Sequence, residues 1–402
     1  MRDARSGRDN RELVPNAVNT VFCVSASAEE TARLLADGPR RDFVELAHAV
    51  NAKVVYRAVR PSRRGLLGRL AGPHIKQAFA TSRQLANGDV CFADGEHLGV
   101  SLLGFLFARR KRRVRVVMLG HLVDRPWKRV LLAATTRLVP NGTLVLHSQT
   151  QLERIRGWVA RSWRVALVPY QVDTDYWVPE LPSAEEGLPI VLAVGSENRD
   201  YDTLIEAATG LPVQVVIAAG SHWARQTAGA GHLPDNVRYL DKPLPFAELR
   251  SAYASAAMVV VPVHDVTNQS GVTVILEAMS MARPCIVTAS RGQRECVVGS
   301  TVQADGALDE STRLSRGPHV FGGVRSGAAT GMYVPPNDAG ALRAAIVRLI
   351  DHPALGDDLG QAARVAAKNH FSIERYVESV AALLVEAGAP RAACSAVGEA
   401  AL

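Results

Sequence analysis

Cysteines are few and scattered in this chain of 402 residues. The five lie far apart, form no CxxC pair and have no Cys/His group nearby: Cys23, Cys91, Cys285, Cys296 and Cys394. Such spacing is typical of reduced, buried thiols in a cytoplasm, whereas disulfide frameworks and structural zinc sites need clustered cysteines. We therefore predict a cytoplasmic protein without a disulfide framework or a zinc site.

Long apolar runs are also missing. No window of 18 residues is uninterrupted apolar, so no segment is expected to span a bilayer. Residues 1–18, MRDARSGRDNRELVPNAV, mix both charge signs, which predicts a flexible N-terminus rather than a secretion signal or an anchor. With 48% hydrophobic and 21% charged residues, the composition is that of a soluble globular protein with two or three domains.

The net charge of +7 hides an asymmetry between the two halves of the chain. Residues 1–183 contain 29 Lys and Arg against 16 Asp and Glu, whereas the remainder contains 17 against 23. Positive charge is clustered in RPSRRGLLGR (60–69) and ARRKRRVR (108–115). These clusters favour an anionic acceptor, a membrane surface or nucleic acid, although a solvated basic surface is the simpler interpretation.

Short β-branched apolar runs alternate with segments of helical period along the whole chain. The first half has six strand candidates and the second half six more: 20–26, 52–58, 88–94, 114–120, 143–148 and 164–169, then 189–196, 213–220, 236–240, 257–263, 284–290 and 331–335. This alternation predicts two doubly wound domains, each with a parallel sheet covered by helices. We place the domains at 19–182 and 183–372, followed by a C-terminal helix that crosses back to the first domain and a tail, 373–402.

Two strand-to-helix turns in the second half stand out as ligand sites. After strand 189–196, Gly195 and Ser196 permit close backbone approach, and Arg199 can reach an anion. After strand 257–263, the polar turn 268–271 opens an apolar helix whose free N–H groups suit a diphosphate. Glu277 lies two turns into that helix, where a carboxylate can accept hydrogen bonds from a ribose hydroxyl pair.

The other turns carry weaker signals or exclude functions. The turn after strand 284–290, RGQREC, has little meaning by itself. Neither GxGxxG nor GxxxxGK[ST] occurs in these turns, which argues against a Rossmann dehydrogenase and a P-loop nucleotidase.

Four segments resemble, in order and spacing, the C-terminal domain of family-4-like retaining glycosyltransferases. They are VLAVGSENRDYDTLIEA, LPDNVRYLDKPLPFAELRSAYASAAMVVVPV, SGVTVILEAMSMARPCIVT and GMYVPPNDAGALRAAIVRLIDHP, and the strong resemblance covers residues 189–388. In the first half it is weaker, in VVMLGH, TLVLHS and RVALVPYQVDTDYW. The resemblance implies an α/β protein of the GT-B fold, in which two Rossmann-like, doubly wound domains face a central cleft.

The donor site that the resemblance implies lies in the second half. Glu277 matches the second acid of the family's E-x7-E motif, which holds the ribose, and Arg199 matches the residue that grips the diphosphate. Gly195 and Ser196 match the accompanying loop, although Ser196 stands where an Arg is common. The helix start that faces the donor is matched by Ser270, Gly271, Val272 and Thr273.

The resemblance also implies catalytic and acceptor-side residues. His121 matches a histidine that faces the cleft near the transferred sugar, so His121, Arg199 and Gln269 are the predicted catalytic residues. Gln269 departs from the family, because it stands where the motif has its first acid and cannot act as a carboxylate base. Lys242 follows a strand where this fold meets the nucleobase. A separate expectation from the turn ADGEHLG is that Asp94 and Glu96 line the acceptor side.

The resulting hypothesis is transfer of a glycosyl group, of hexosyltransferase type, from a nucleoside-diphosphate sugar to an acceptor hydroxyl with retention. No cofactor or metal is expected, since helix N–H groups, Arg199 and hydroxyls offset the diphosphate charge. The expected partners are a nucleotide sugar and a small-molecule or glycan acceptor, such as a bacterial specialised metabolite or an envelope glycan, and no nucleic acid. The donor base, the donor sugar and the oligomeric state are not predicted.

Other hypotheses about the function stay open. Gln269 lends slight support to a GT-B sugar-nucleotide epimerase or a phosphorylase, neither of which transfers sugar to such an acceptor. The cluster ARRKRRVR suggests a non-catalytic protein that binds polyanions. Peripheral contact with the inner membrane face through the basic first half is a variant of the main hypothesis, because RRGLLGRL interleaves Arg with Leu as interfacial helices do.

Overall fold

The computed structural model describes residues 18–58, 72–123, 125–180, 187–219, 233–240, 242–314 and 328–389. Residues 1–17 of the predicted flexible terminus and the basic cluster 60–69 lie outside this part of the chain.

The first half contains a six-stranded sheet in which every neighbouring pair is parallel, in the order β2-β1-β3-β4-β5-β6. Its strands are β1 Thr20–Cys23, β2 Lys53–Val55, β3 Val90–Ala93, β4 Arg115–Gly120, β5 Gly142–Leu146 and β6 Arg164–Leu167. Its helices are α1 Ala28–Asp37, α2 Asp42–Ala49, α3 Pro73–Gln84, α4 Glu96–Ala108, α5 Pro126–Leu138 and α6 Gln149–Ile155. All six strand predictions of this half are confirmed.

The second half contains an eight-stranded sheet in the order β13-β12-β14-β11-β10-β7-β8-β9. Its strands are β7 Ile190–Val194, β8 Gln214–Ala218, β9 Val237–Tyr239, β10 Met258–Val261, β11 Cys285–Thr288, β12 Gly299–Val302, β13 Leu308–Leu314 and β14 Met332–Val334. Its helices are α7 Tyr201–Ala208, α8 Phe246–Ser255, α9 Val272–Ser280, α10 Ala339–Asp351 and α11 Pro353–His370. The six predicted strands are confirmed, but β12 and β13, an antiparallel pair at the sheet edge, were missed.

The strands are buried because helices cover both faces of each sheet. Every residue of β1, β3, β10 and β11 is buried, as expected for apolar runs in parallel sheets. Adjacent β1 residues enter different cores: Val21 and Cys23 pack in one cluster and Phe22 in another. The Phe22 and Phe92 rings lie 4.7 Å apart. The predicted α/β class with two parallel sheets is confirmed.

The last helix, α12 Ile373–Glu386, packs on the first half. Its residues Tyr376, Val380 and Leu384 belong to the same core cluster as Phe22 of β1. Just before α12 the chain runs beside the linker between the two halves, where Val172 donates its N–H to Phe371 and accepts the N–H of Ile373. The two halves are therefore joined by two adjacent chain crossings.

The strand orders locate the open crevices. In the first sheet the order reverses between β1 and β3, and in the second it reverses between β7 and β10. Helices leave such a point toward opposite faces, so the carboxyl ends of the strands there are left accessible to ligands. None of the helices in the described ranges has both the length and the apolarity needed to cross a membrane.

Candidate functional site

A cavity of about 240 Å³ lies between the carboxyl ends of the two sheets. The first half lines it with His121, Leu122, His147, Gln151 and Tyr170, and the second with Glu197, Asn268, Gln269, Gly271, Val272 and Thr273. Five predicted site residues, His121, Gln269, Gly271, Val272 and Thr273, are therefore brought together here, although the first is almost 150 residues from the others in the chain.

Arg199 lies between two glycine turns at the edge of this cavity. Gly195 (φ +95°) and Gly271 (φ +88°) both adopt the left-handed backbone that side chains disfavour. A Cβ added to Gly195 would lie 2.6 Å from Arg199 Nη2, and one added to Gly271 would lie 3.4 Å from its Nη1. The two glycines thus leave the space that the guanidinium fills.

The Arg199 guanidinium is held by backbone carbonyl groups. Its Nε donates to the Val194 carbonyl oxygen at 3.0 Å and its Nη1 to that of Glu197 at 2.7 Å. Burial lowers the pKa of Arg199, but an arginine side chain keeps its proton in proteins. No carboxylate within the described ranges forms an ion pair with it, so a positive charge is available to an anion.

Helix α9 begins at the same place. Gly271 is its N-cap residue and no side chain caps the helix. The preceding turn is pinned by Ser270 Oγ, which accepts from Asn198 Nδ2 at 2.8 Å and Asn268 Nδ2 at 2.9 Å. Because the first-turn N–H groups of a helix lack intrahelical partners and carry partial positive charge, this end of α9 and Arg199 together suit a diphosphate.

Glu277 lies in the buried face of α9 and outside the cavity lining. It is 7% exposed, and its Oε2 accepts a hydrogen bond of 2.8 Å from the Tyr253 hydroxyl. Burial raises the pKa of Glu277 to about 7. Glu277 and Tyr253 therefore form a buried hydrogen-bonded pair at the predicted donor site.

His121 directly follows β4 and is fixed on three sides. Its backbone N–H donates to Glu96 Oε2 at 3.0 Å, and its carbonyl oxygen accepts from Gln151 Nε2 at 2.7 Å. Its ring Nε2 lies 3.1 Å from the Asp94 carbonyl oxygen. Since a carbonyl only accepts, Nε2 carries a proton, and in the neutral form of the ring Nδ1 is the hydrogen-bond acceptor.

Asp94 and Glu96, predicted on the acceptor side, lie beside His121 and outside the cavity lining. Asp94 Oδ2 accepts from the Ser25 N–H at 2.6 Å and its hydroxyl at 2.8 Å, and burial raises the pKa of Asp94. Burial would also raise the pKa of Glu96, but Lys128, whose Nζ is 2.5 Å away, and the His121 N–H hold it below its usual value. Both acids therefore support the His121 turn.

Ser196 and Lys242 stand apart from the other predicted donor residues. Ser196 is exposed in the turn after β7, and Lys242 is exposed beyond the carboxyl end of β9. Neither belongs to the cavity lining.

His147 and Tyr170 line the cavity but were missed from the sequence. His147 follows β5, and its Nδ1 donates to the Val168 carbonyl oxygen at 2.9 Å. Burial lowers the pKa of His147 to about 3, which keeps the ring neutral. The ring centre lies 5.7 Å from that of His121 and 4.9 Å from that of Tyr170. The available signal was the strand end TLVLHS, in which His147 directly follows the apolar run.

Glu295 is the other residue that sequence reasoning missed, in the turn RGQREC. Its carboxylate accepts hydrogen bonds from Gln269 Nε2 at 2.6 Å and from the Gln149 N–H at 2.8 Å. Burial raises the pKa of Glu295 to about 7. The Glu295 carboxylate thus contacts Gln269, which stands where the E-x7-E motif has its first acid.

A second cavity, of about 360 Å³, lies at the carboxyl ends of β1 and β2. It is lined by Ser25, Ala26, Glu30, Thr31, Leu34, Arg41, Arg57, Pro73 and His74. Ser25 is bonded to Asp94, whose carbonyl oxygen meets the His121 ring. Hydrogen bonds through Asp94 therefore link Ser25, in this cavity, to His121, in the cavity between the halves. In the described part of the chain, no cluster of three His, Cys, Asp or Glu side chains could hold a metal ion.

Comparison with known proteins agrees with this geometry. Residues 188–352 match the family model described as Glycosyl transferases group 1. The matched range runs from β7 to the end of α10 and includes Arg199, Gln269 and Glu277. No curated protein matches the chain in sequence.

Solved structures resemble the chain over nearly its whole length. Sucrose-phosphate synthase from Thermosynechococcus elongatus is 18% identical, with a TM-score of 0.65 over 92% of this chain and 98% of that one. HepE from Anabaena, in complex with UDP and glucose, is 14% identical, with a TM-score of 0.62 over 92% and 99%. An α,α-trehalose 6-phosphate synthase from Burkholderia multivorans is 12% identical, with a TM-score of 0.57 over 92% and 98%. The fold is GT-B, as predicted.

Proposed function

We propose that this protein is a glycosyltransferase that moves a sugar from a nucleoside-diphosphate sugar to an acceptor hydroxyl, with retention at the anomeric carbon. One observation carries the proposal: the Arg199 cation is fixed between Gly195 and Gly271, at the uncapped start of α9, beside a cavity that His121 enters from the other half. The match of residues 188–352 to the group 1 model supports it.

The donor diphosphate would lie against Arg199 and the first turn of α9. A fixed cation and oriented N–H groups stabilise the negative charge that grows on the diphosphate as the sugar leaves. Glu277 would accept from the ribose hydroxyl groups, and Lys242 would approach the base. Arg199 and the N–H groups at the start of α9 supply the positive charge that the leaving group needs, so the proposed reaction includes no metal or other cofactor.

The transferred sugar would occupy the cavity between the halves. Gln269 and His121 line it from opposite sides, and His121 Nδ1 keeps its capacity to accept a hydrogen bond from a hydroxyl group. Contact between the halves around the bound sugar would keep water from the anomeric carbon and limit hydrolysis. The anomeric configuration of the product, determined by NMR, tests the proposed retention.

The acceptor, a small molecule or a glycan, would enter from the second cavity. That cavity lies in the half that carries the excess of Lys and Arg, and both Arg41 and Arg57 line it. Ser25 and His121, which line the two cavities, both form hydrogen bonds with Asp94, so an acceptor in the second cavity would lie close to the transferred sugar.

A panel of nucleoside diphosphates and their sugar conjugates tests the donor site through the thermal unfolding midpoint. A ligand that binds only the folded protein stabilises it by RT ln(1 + [L]/Kd), so the midpoint rises with ligand concentration and affinity. We expect one nucleoside diphosphate, with UDP as the first probe, to raise it, and Arg199→Ala to abolish the rise. Arg238→Ala, an exposed arginine on β9, is the control and should retain it. The proposal fails if no nucleoside diphosphate or sugar conjugate shifts the wild-type midpoint.

Product analysis separates the proposal from its alternatives. An epimerase converts the sugar nucleotide without an acceptor, whereas a glycosyltransferase leaves it intact apart from slow hydrolysis. A phosphorylase would depend on inorganic phosphate. A polyanion-binding protein would instead bind DNA or RNA with an affinity that falls steeply with salt.

We extend the proposal to a cytoplasmic enzyme in peripheral contact with an anionic membrane surface. Leu132 of helix α5 is buried in the core, but three apolar side chains of the same helix form an exposed stripe. Their exposed fractions are 58% for Trp127, 58% for Val130 and 44% for Leu131. Basic residues flank the stripe: the Arg129 guanidinium lies 5.8 Å from the ring of the half-exposed Trp158. Apolar side chains among cations suit the interface of a bilayer with anionic lipids.

Co-sedimentation with phosphatidylglycerol-containing vesicles tests this contact. We expect the wild-type protein to sediment and the Trp127→Ala/Leu131→Ala variant to remain in solution. Val365→Ala, which removes an equally exposed apolar side chain from α11, should sediment like the wild type. Equal sedimentation of the α5 variant, or none by the wild type, refutes the contact.

A further inference from the structure

A single carboxylate joins the two halves of the molecule beside the sugar cavity. Glu295, in the loop after β11, accepts the Gln149 N–H through Oε1 at 2.8 Å and the Gln269 amide through Oε2 at 2.6 Å. Ser148 Oγ lies 3.5 Å from Oε1. Gln149 and Ser148 belong to the first half, whereas Gln269 belongs to the second.

A neighbouring bond reinforces this junction. The Thr150 hydroxyl of α6 donates to the Arg291 carbonyl oxygen at 3.0 Å. The loop after β11 is therefore held to the start of α6 by both a side chain and the backbone.

The Glu295 carboxylate dictates how the Gln269 amide is turned. The NH₂ group of the amide faces Glu295 Oε2 at 2.6 Å, and the ionised carboxylate, which accepts hydrogen bonds but cannot donate them, holds it in that orientation. The amide oxygen, Oε1, is then the remaining polar atom of the side chain, and it is buried without a hydrogen-bond partner among the described residues. An oxygen left without a partner is unfavourable, and a hydroxyl group of a ligand in the cavity that Gln269 lines would supply the missing partner.

We propose that Glu295 is a positioning residue: it turns the Gln269 amide so that its oxygen can accept from a hydroxyl group of the transferred sugar, and it ties this orientation to contact between the halves. The inference rests on the proposed glycosyltransferase function and deepens it. In this arrangement Gln269 recognises the sugar, while the nucleoside diphosphate is bound elsewhere, at Arg199 and α9.

Glu295→Gln tests the inference with a minimal change in shape. The oxygen of the new amide keeps the Gln149 N–H, which points its NH₂ group at the NH₂ group of Gln269. Two donors repel, so Gln269 turns over and loses its free oxygen as an acceptor. We expect turnover of the nucleotide sugar to fall about tenfold, the effect of one lost hydrogen bond, and UDP binding to stay unchanged.

A double-mutant cycle shows whether Glu295 acts through Gln269. Gln269→Ala should lose turnover to a similar extent, and Glu295→Gln should add no further loss in the Gln269→Ala background. Glu153→Gln on α6, an exposed acid that accepts from the Gln149 side chain at 3.0 Å, is the control and should keep wild-type turnover. If Glu295→Gln does not fold, Glu295→Ala, which removes the acceptor that faces the Gln269 amide, replaces it in the same cycle with the same expected losses.

Three results would overturn the inference: wild-type turnover in Glu295→Gln, a full additional tenfold loss in the Gln269→Ala background, or parallel weakening of UDP and of the nucleotide sugar. Each is distinguishable from failure of the proposed function. If the proposed function fails, the wild-type protein itself forms no product from any nucleotide sugar.

Discussion

The Tyr253 hydroxyl donates a hydrogen bond of 2.8 Å to Glu277 Oε2 inside the core of the second half. Tyr253 is fully buried and Glu277 is 7% exposed. An acid in such surroundings is costly, because burial disfavours its charged form. The helix that carries it would be more stable with an apolar residue here, which is consistent with selection for a ligand contact rather than for packing.

Stability should fall with rising pH because of Glu277. Its pKa of about 7 in the folded protein exceeds the ordinary 4.5, so the folded state binds the proton more tightly than the unfolded chain does. This contribution is fully present below about pH 4.5 and is lost as the pH rises through 7, a change of about 3 kcal/mol at about 1.4 kcal/mol per pKa unit. Glu295, whose pKa is also about 7, should likewise make the protein less stable as the pH rises.

Thermal unfolding midpoints between pH 5 and pH 8 measure this effect. Glu277→Gln should reduce the drop in the midpoint by roughly half, because the titration of Glu295 still contributes the other half. Glu378→Gln, an exposed acid on α12, should show the wild-type drop. An unchanged drop in Glu277→Gln would contradict the assignment of a raised pKa to this acid.

Glu277→Gln should also weaken binding of the nucleoside diphosphate. A carboxylate accepts charge-assisted hydrogen bonds from ribose hydroxyl groups, each contributing about 1.5–3 kcal/mol, whereas the amide accepts through one neutral oxygen. Titration calorimetry with UDP should show affinity lower by about 10–100-fold. Glu206→Gln, an exposed acid on α7, should bind like the wild type, and equal affinity in the two variants would exclude Glu277 from the donor site.

Arg199→Lys should impair catalysis although it keeps the charge. The guanidinium is oriented by two carbonyl groups, on Val194 and Glu197, and an ammonium group cannot occupy the same planar site. We expect turnover to fall about tenfold in Arg199→Lys and about a hundredfold or more in Arg199→Ala. Steady-state rates with a matched donor measure both, and a fully active alanine variant would rule out this role.

Gly195→Ala should reduce activity by displacing Arg199. The added methyl group would lie 2.6 Å from Arg199 Nη2 at a backbone φ of +95°. Gly210→Ala is a matched control, because Gly210 has φ +73° but no atom within 4 Å of the new Cβ. Both variants should lose about 1 kcal/mol or more of stability through backbone strain, measured by denaturant unfolding, but Gly195→Ala alone should lose turnover.

The strands and the predicted donor residues are readable from local sequence. Twelve strands are short apolar runs bounded by turns, and such runs have few alternatives to a buried parallel sheet. Gly195 and Arg199 lie in the turn after β7, whereas Gln269 and Glu277 lie in the turn and the helix that follow β10. Since β7 and β10 are neighbours, their carboxyl ends bring these residues close to one another.

The β12–β13 pair shows why other elements were missed. Its sequences, GSTV and LDESTRL, are polar or mixed rather than apolar. An edge pair does not need burial on both faces, so the apolar signal that identifies central strands is absent. The antiparallel pairing between Gly299 and Leu314 depends on contacts that no local pattern encodes.

The sequence alone thus determines the fold class and the order of strands and helices, and it predicts donor residues after the strands of the second half. Folding adds the relationships between distant residues: His147 and Tyr170 beside His121, the return of α12 to the first half, and the Glu295 carboxylate between Gln149 and Gln269, which are 146 and 26 residues away. The reason is physical. Periodicity reports which face of an element is buried, whereas the hydrogen bonds of a buried polar group depend on whichever elements the completed fold places against it.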